Sequence, residues 1–159
     1  MKTKKSWQEK LRTDHGLPKV EPIPARLKKQ WGTGKFLVPA PREVDALMKK
    51  VKRGKVTTID ELRASLAAHH GAAVTCPMTA GIFANIAARA ADEQIAEGKQ
   101  RVTPYWRTLK ARGELNPKFP GGLAVMKSML EAEGHTVEVR GKRMFVVELE
   151  KCLVRPVAD

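Results

Sequence analysis

Between Pro41 and Gly98 the chain is cut into three segments that each open on a helix-starting residue and close on a glycine. This bracketing limits the fold more than any other feature. Pro41 suits a first helical turn, where a backbone N–H would have no partner anyway. Val44, Leu47, Met48 and Val51 follow at helical spacing, and Gly54 stops the segment. Thr58 is the expected N-cap of the next helix, with Glu61 three residues later as in a capping box. Ile59, Leu62 and Leu66 form its apolar stripe, and Gly71 ends it. The third helix starts near Pro77 and ends at Gly98.

The second and third helices are joined by a short link containing Gly71 and Pro77, the arrangement of a helix-turn-helix. In that arrangement the second helix places its N-terminal residues in a nucleic-acid groove. After Pro104 a loop-rich stretch runs to Gly121 and Gly122, and a last helix is expected over Leu123 to Ala132. The C-terminal run TVEVRGKRMFVVELE alternates around Gly141 and reads as a β-hairpin. The pattern predicts a mainly α fold with a small β-hairpin, a winged-helix or helix-turn-helix domain. Arg140, Lys142 and Arg143 at the hairpin tip either touch a phosphate backbone or form a solvated turn.

Residues 1–40 read as a basic, Pro- and Gly-rich N-terminal extension, residues 41–136 as the helical domain, and 137–159 as the hairpin wing and tail. A short helix is expected from Lys5 to Arg12. The following HGLPKVEPIPARLKKQWGTGKFLVPAP is too rich in Pro and Gly to hold a regular element for long. Trp7, Trp31 and Phe36 either pin this extension to the core or stack on bases.

Thirty Lys and Arg against 17 Asp and Glu leave a formal charge of +13. An excess this large on 159 residues points to a polyanion, with nucleic acid the first candidate. No apolar run is long enough to span a bilayer, and no apolar h-region follows the basic start, so neither a membrane partner nor secretion is expected. Cys76 and Cys152 suggest no disulfide framework, which favours a reducing, cytoplasmic setting. The histidines His15, His69, His70 and His135 combine with them at no zinc spacing, so neither a metal nor a cofactor is expected.

Three segments carry a resemblance. RGKVTTIDELRASLA, TPYWRTLKARGELNPKFPGG and GGLAVMKSMLEAEGH occur in that order. They resemble the DNA-binding domain of the methylguanine-DNA methyltransferase (alkylguanine-DNA alkyltransferase) family over about residues 38–136. The resemblance extends to the cysteine-lacking alkyltransferase-like proteins, which bind lesions without reacting. It implies a winged-helix, helix-turn-helix fold of the alkyltransferase type. In that family a tyrosine helps rotate the base, an arginine fills the gap in the stack, and a histidine-activated cysteine accepts the alkyl group. A thiolate is needed because other side chains are too weakly nucleophilic at neutral pH.

Mapped onto this chain, the tyrosine position is Ile59 and the arginine position is Ala80 or Gly81. The cysteine position is Tyr105 and the histidine position is Trp106, while Pro104, Arg107 and Glu133 remain. A phenol with pKa ~10 stays protonated at neutral pH and is a poor acceptor. The resemblance therefore implies a protein that is not an enzyme. Pro104, Tyr105, Trp106, Arg107 and Glu133 would mark a relic pocket in which Tyr105 and Trp106 either stack on a base or pack as core. Cys76, at the start of the third helix, is either a reactive thiol or a small buried residue.

The expected function is non-catalytic binding of double-stranded DNA, without sequence preference or with a bias toward lesions, and with a link to DNA repair. Expected DNA contacts are Lys52, Arg53, Lys55 and Thr58 before the second helix, Met78, Thr79, Asn85 and Arg89 on the third, and Arg107, Lys110 and Arg112 beside the relic pocket. One alternative is recognition of alkylated bases in repair. Another is a basic protein-interaction module with a partner the sequence does not specify.

Overall fold

The computed structural model describes residues 4–159. Residues 1–3, the first part of the expected extension, lie outside the described residues. The first helix, α1, spans Trp7–Arg12, close to expectation, and Ser6 caps it by accepting from Glu9 N. The glycine- and proline-rich stretch that follows departs from expectation. It forms strand β1 (Lys19–Pro22), a single turn α2 (Lys28–Trp31) and strand β2 (Lys35–Val38).

β1 and β2 pair antiparallel, with Lys19 opposite Val38 and Pro22 opposite Lys35. Helix α3 (Pro41–Lys49) follows and buries Val44, Leu47 and Met48. Strand β3 (Thr57–Thr58) leads into α4 (Ile59–His70), and β4 (Val74–Thr75) into α5 (Pro77–Ala96). β2 also pairs with β4 in parallel, Phe36 opposite Val74 and Leu37 opposite Thr75. The expected extension is thus hydrogen-bonded into the domain. Short strands of this kind are stabilised by distant partners, which local composition does not reveal.

Helices α4 and α5 form the expected helix-turn-helix. Thr58 Oγ1 accepts from Glu61 N, so the N-cap is as expected. The Glu61 carboxylate turns away to Arg155 Nε rather than completing a capping box. Gly71 ends α4 in a left-handed conformation, φ 64°, which a side chain would strain. The turn is held by two reciprocal bonds, Arg63 Nε to Thr75 O at 2.9 Å and Thr75 Oγ1 to Arg63 O at 2.8 Å. They fix the exit of α4 relative to the entry of α5.

Small residues let α5 pack closely on its neighbours. Ala80, Ala84, Ala87, Ala88 and Ala91 are all almost fully buried, at spacings that put them on one face against α3 and α4. The same spacing leaves Met78, Ile82 and Asn85 on the outer side.

The last third closes the core. Strand β5 (Thr108–Leu109) pairs in parallel with β3. Helix α6 (Gly122–Ala132) buries Met126 and Leu130. The C-terminal hairpin forms as expected from β6 (Val137–Arg140) and β7 (Arg143–Val146). Leu115 N donates to Met144 O at 2.9 Å and anchors the hairpin to the loop before α6. No helix of the described residues is long and apolar enough to cross a membrane.

Candidate nucleic-acid interface

The residues expected to form a relic pocket do come together, and Tyr105 fills the space among them. Tyr105 is only 2% exposed. Its ring stands edge-on to Trp106 and to Phe119, with centroids 5.4 and 6.0 Å away. Its hydroxyl faces Pro120 O at 3.5 Å, too long for a strong bond. Burial pushes the phenol pKa up, and the Asp92 charge adds to this, so Tyr105 stays neutral. Pro104 is buried beside it. Of the two readings for Tyr105, core packing is the one the structure adopts.

Trp106, Arg107 and Glu133 form a polar cluster behind that ring. Trp106 Nε1 donates to Glu133 Oε2 at 3.0 Å. Arg107 Nε donates to Oε1 at 2.8 Å and Nη2 to Oε2 at 2.7 Å. Arg107 Nη1 donates to Val51 O at 2.7 Å, joining the link just after α3 to the cluster. Burial alone would raise the Glu133 carboxyl, but the bonds from Arg107 and Trp106 and the charges of Arg107 and Arg53 outweigh it and hold it below its usual value. Arg107 is therefore committed to a buried ion pair and is not free for DNA. Nearby His135 is kept neutral, its pKa lowered mainly by burial and also by Arg107, with Glu133 opposing.

Other expected DNA contacts are also engaged within the protein. Thr58 is 5% exposed and its hydroxyl caps α4, so it offers nothing to a phosphate. Arg53 Nη2 donates to Ala132 O at 2.9 Å at the end of α6, while Lys52 and Lys55 stay exposed. Lys110 lies 3.9 Å from Glu114 and Arg143 lies 2.7 Å from it. Arg140 pairs with Glu138 at 2.8 Å. At the wing, Arg112 and Lys142 are exposed cations without an ion pair among the described residues.

The outer side of α5 carries the open surface. Met78 is 72% exposed and Ile82 49%. With Gly81, Asn85 and Ile86 they line a groove of about 550 Å³, closed by Trp7 and Lys10 of α1 and by Asn116 and Lys118. Asn85 Oδ1 is buried and has no hydrogen-bond partner among the described residues. Arg89 borders the groove, donating to Lys118 O at 3.1 Å and lying 5.4 Å from the Trp7 ring. Thr79 turns back toward Cys76 O at 3.5 Å. Cys76 itself is half-buried, and its thiol makes no capping bond to the α5 N-terminus.

Of the expected contacts, Met78, Asn85 and Arg89 are brought together around this groove. Lys52, Lys55, Lys110 and Arg112 do not line it. The sequence reading missed Ile82, Asn116 and Lys118. Ile82 was findable, since it stands four residues from Met78, on the side that the alanines leave free. Asn116 and Lys118 lie in a loop whose path no periodicity announces.

The described residues thus form a helix-turn-helix with a β-hairpin after it, a winged-helix type of arrangement. No protein-family model and no curated protein matches the chain. Among solved structures, the chain is similar to S. pombe Atl1 in complex with damaged DNA containing O6-carboxymethylguanine. The likeness has a TM-score of 0.48 and 19% identity, and covers 73% of this chain and 94% of that one. A likeness of this size says nothing about what this chain binds.

Proposed function

We propose that this chain is a non-catalytic DNA-binding protein descended from the methylguanine-DNA methyltransferase family, with a link to DNA repair. Its acceptor position is Tyr105. The observation that carries the reading is the outer side of α5. Met78 and Ile82 stand open, with Asn85 half-buried between them and α1, on the second helix of a helix-turn-helix, beside Lys118 and Lys10, in a chain of charge +13. An exposed apolar strip flanked by cations fits a groove floor between two phosphate rows.

The filled interior around Tyr105 supports binding without base extrusion. A neutral, buried phenol neither attacks an alkyl carbon nor stacks on an extruded base. Binding then goes mainly to the backbone, and sequence preference is weak. A salt titration of undamaged duplex binding tests the reading. Log affinity is expected to fall linearly with log salt, with a slope of about −0.9 per phosphate neutralised. Absent binding, or binding indifferent to salt, contradicts it.

A further inference from the structure

None of the cations in the segment between α1 and α3 is among the DNA contacts expected from the sequence. Residues 16–38 carry five cations, Lys19, Arg26, Lys28, Lys29 and Lys35, against one anion, Glu21. Glu21 lies 3.6 Å from Lys19. Arg26, Lys28, Lys29 and Lys35 are exposed and have no ion-pair partner among the described residues. The wing at β6 and β7 differs, because Arg140 and Arg143 there are neutralised by Glu138 and Glu114.

This arm is held in place and lies against the helix-turn-helix. Ala73 N donates to Lys35 O at 2.9 Å and Cys76 N to Leu37 O at 2.8 Å, so β2 runs alongside the turn between α4 and α5. Lys35 is therefore bonded to Ala73, four residues before the first residue of α5 and, at ~3.3 Å per residue, no more than about 13 Å from it along the chain. The tip is braced from inside. Trp31 stacks on Phe36 with ring centroids 5.1 Å apart, and Ile23 is buried, its N–H bonded to Gly34 O at 2.9 Å. Gly34 sits at φ 121°, where a side chain would be strained and its Cβ would come 3.0 Å from Ala73 Cβ, so glycine favours the close approach. The Trp31 ring is thereby used as a brace and not as an open base-stacking platform.

We propose that the β1–β2 arm is a second, N-terminal wing. Arg26, Lys28 and Lys29 grip the phosphate backbone of duplex DNA next to the groove that receives α5. The inference rests on the DNA-binding reading above. Cations on a braced element are already oriented, so less ordering entropy is lost on binding than from a flexible tail. Recognition is electrostatic and blind to sequence.

The test compares the full chain with an R26Q/K28Q/K29Q variant in duplex titrations at several salt concentrations. A K99Q/K127Q/K151Q variant removes the same charge elsewhere and serves as the control. The arm variant is expected to bind about tenfold more weakly or worse at low salt, with the salt slope reduced by about 0.9 for each phosphate no longer held. The control is expected to keep the wild-type slope. An R26K/K28R/K29R variant is expected to restore both quantities, and thermal melts should be the same for all chains. Wild-type affinity and slope in the arm variant overturn the second wing while leaving DNA binding intact. No duplex binding by the wild type overturns the DNA reading itself. Arm-dependent binding to phosphatidylserine vesicles without duplex binding also overturns it, in favour of a membrane surface.

Discussion

Arg107 and Glu133 are joined by two hydrogen bonds of 2.8 and 2.7 Å, with only 14% and 6% of their side chains exposed. Through Val51 O and Trp106 Nε1 the pair ties the link after α3, the 105–107 turn and the end of α6 into one cluster. What the family resemblance marks as the surroundings of a reactive centre is here a structural clamp.

Removing one partner of a buried pair leaves the other charge uncompensated. Glu133→Ala is expected to cost about 3–5 kcal/mol of stability, read by urea or thermal unfolding. The pH dependence has a definite sign. The Glu133 pKa is lowered in the folded state from an ordinary value of 4.5. Its contribution is therefore present above pH 4.5 and is lost as pH falls through the lower, folded value. The Ala variant should lack that part of the acid destabilisation.

A thiol at position 105, which the resemblance aligns with an alkyl acceptor, should not react with alkylated DNA. Tyr105→Cys puts the sulfur in a site that is almost fully buried, with the Trp106 ring edge-on beside it and no imidazole in contact. No alkyl adduct is expected by mass spectrometry after incubation with methylguanine DNA. A cavity is left under Phe119, and stability should fall by about 3 kcal/mol. A stoichiometric adduct on the introduced thiol would show that the pocket opens.

The open side of α5 is expected to matter for binding and little for folding. Met78→Glu and Ile82→Glu bring negative charge to a surface proposed to face phosphates, and each should weaken duplex binding about tenfold or more. Both side chains are exposed, so stability should stay within about 0.5 kcal/mol. Unchanged affinity in both variants, measured by titration, would move the DNA interface off α5.

Glu93 on α5 accepts from the backbone N–H groups of Trp7 and Gln8 at 3.0 and 2.9 Å, and so caps the start of α1. A six-residue helix has little stability of its own. Glu93→Ala should release α1, cost about 1–2 kcal/mol and raise hydrogen exchange over residues 7–12. Unaltered protection there would mean that the Trp7 packing alone holds the helix.

The helices were legible in the sequence because their signals are local. Thr58, Gly71 and Pro77 fix the helix-turn-helix through capping and φ preferences that need no distant partner. The hairpin around Gly141 was legible from alternation. The β1–β2 arm was not, because its strands are four residues long, and β2, which holds β1, is itself held by β4, more than thirty positions away. The engagement of Arg107 and Arg53 was equally hidden. A cation's type says nothing about whether a carboxylate or carbonyl from a remote segment, such as Glu133 or Ala132, already holds it. Whether Tyr105 stacks outward or packs inward depends on Phe119 and Pro120, fourteen and fifteen residues away in a loop without periodicity.

The most direct measurement is a fluorescence-anisotropy titration of one duplex, with and without a single methylguanine, at two salt concentrations. With Tyr105 filling the interior, the two duplexes should bind equally and both more weakly at high salt. Tighter binding to the methylated duplex would contradict the account, because it would require a lesion pocket that Tyr105 and Phe119 now occupy.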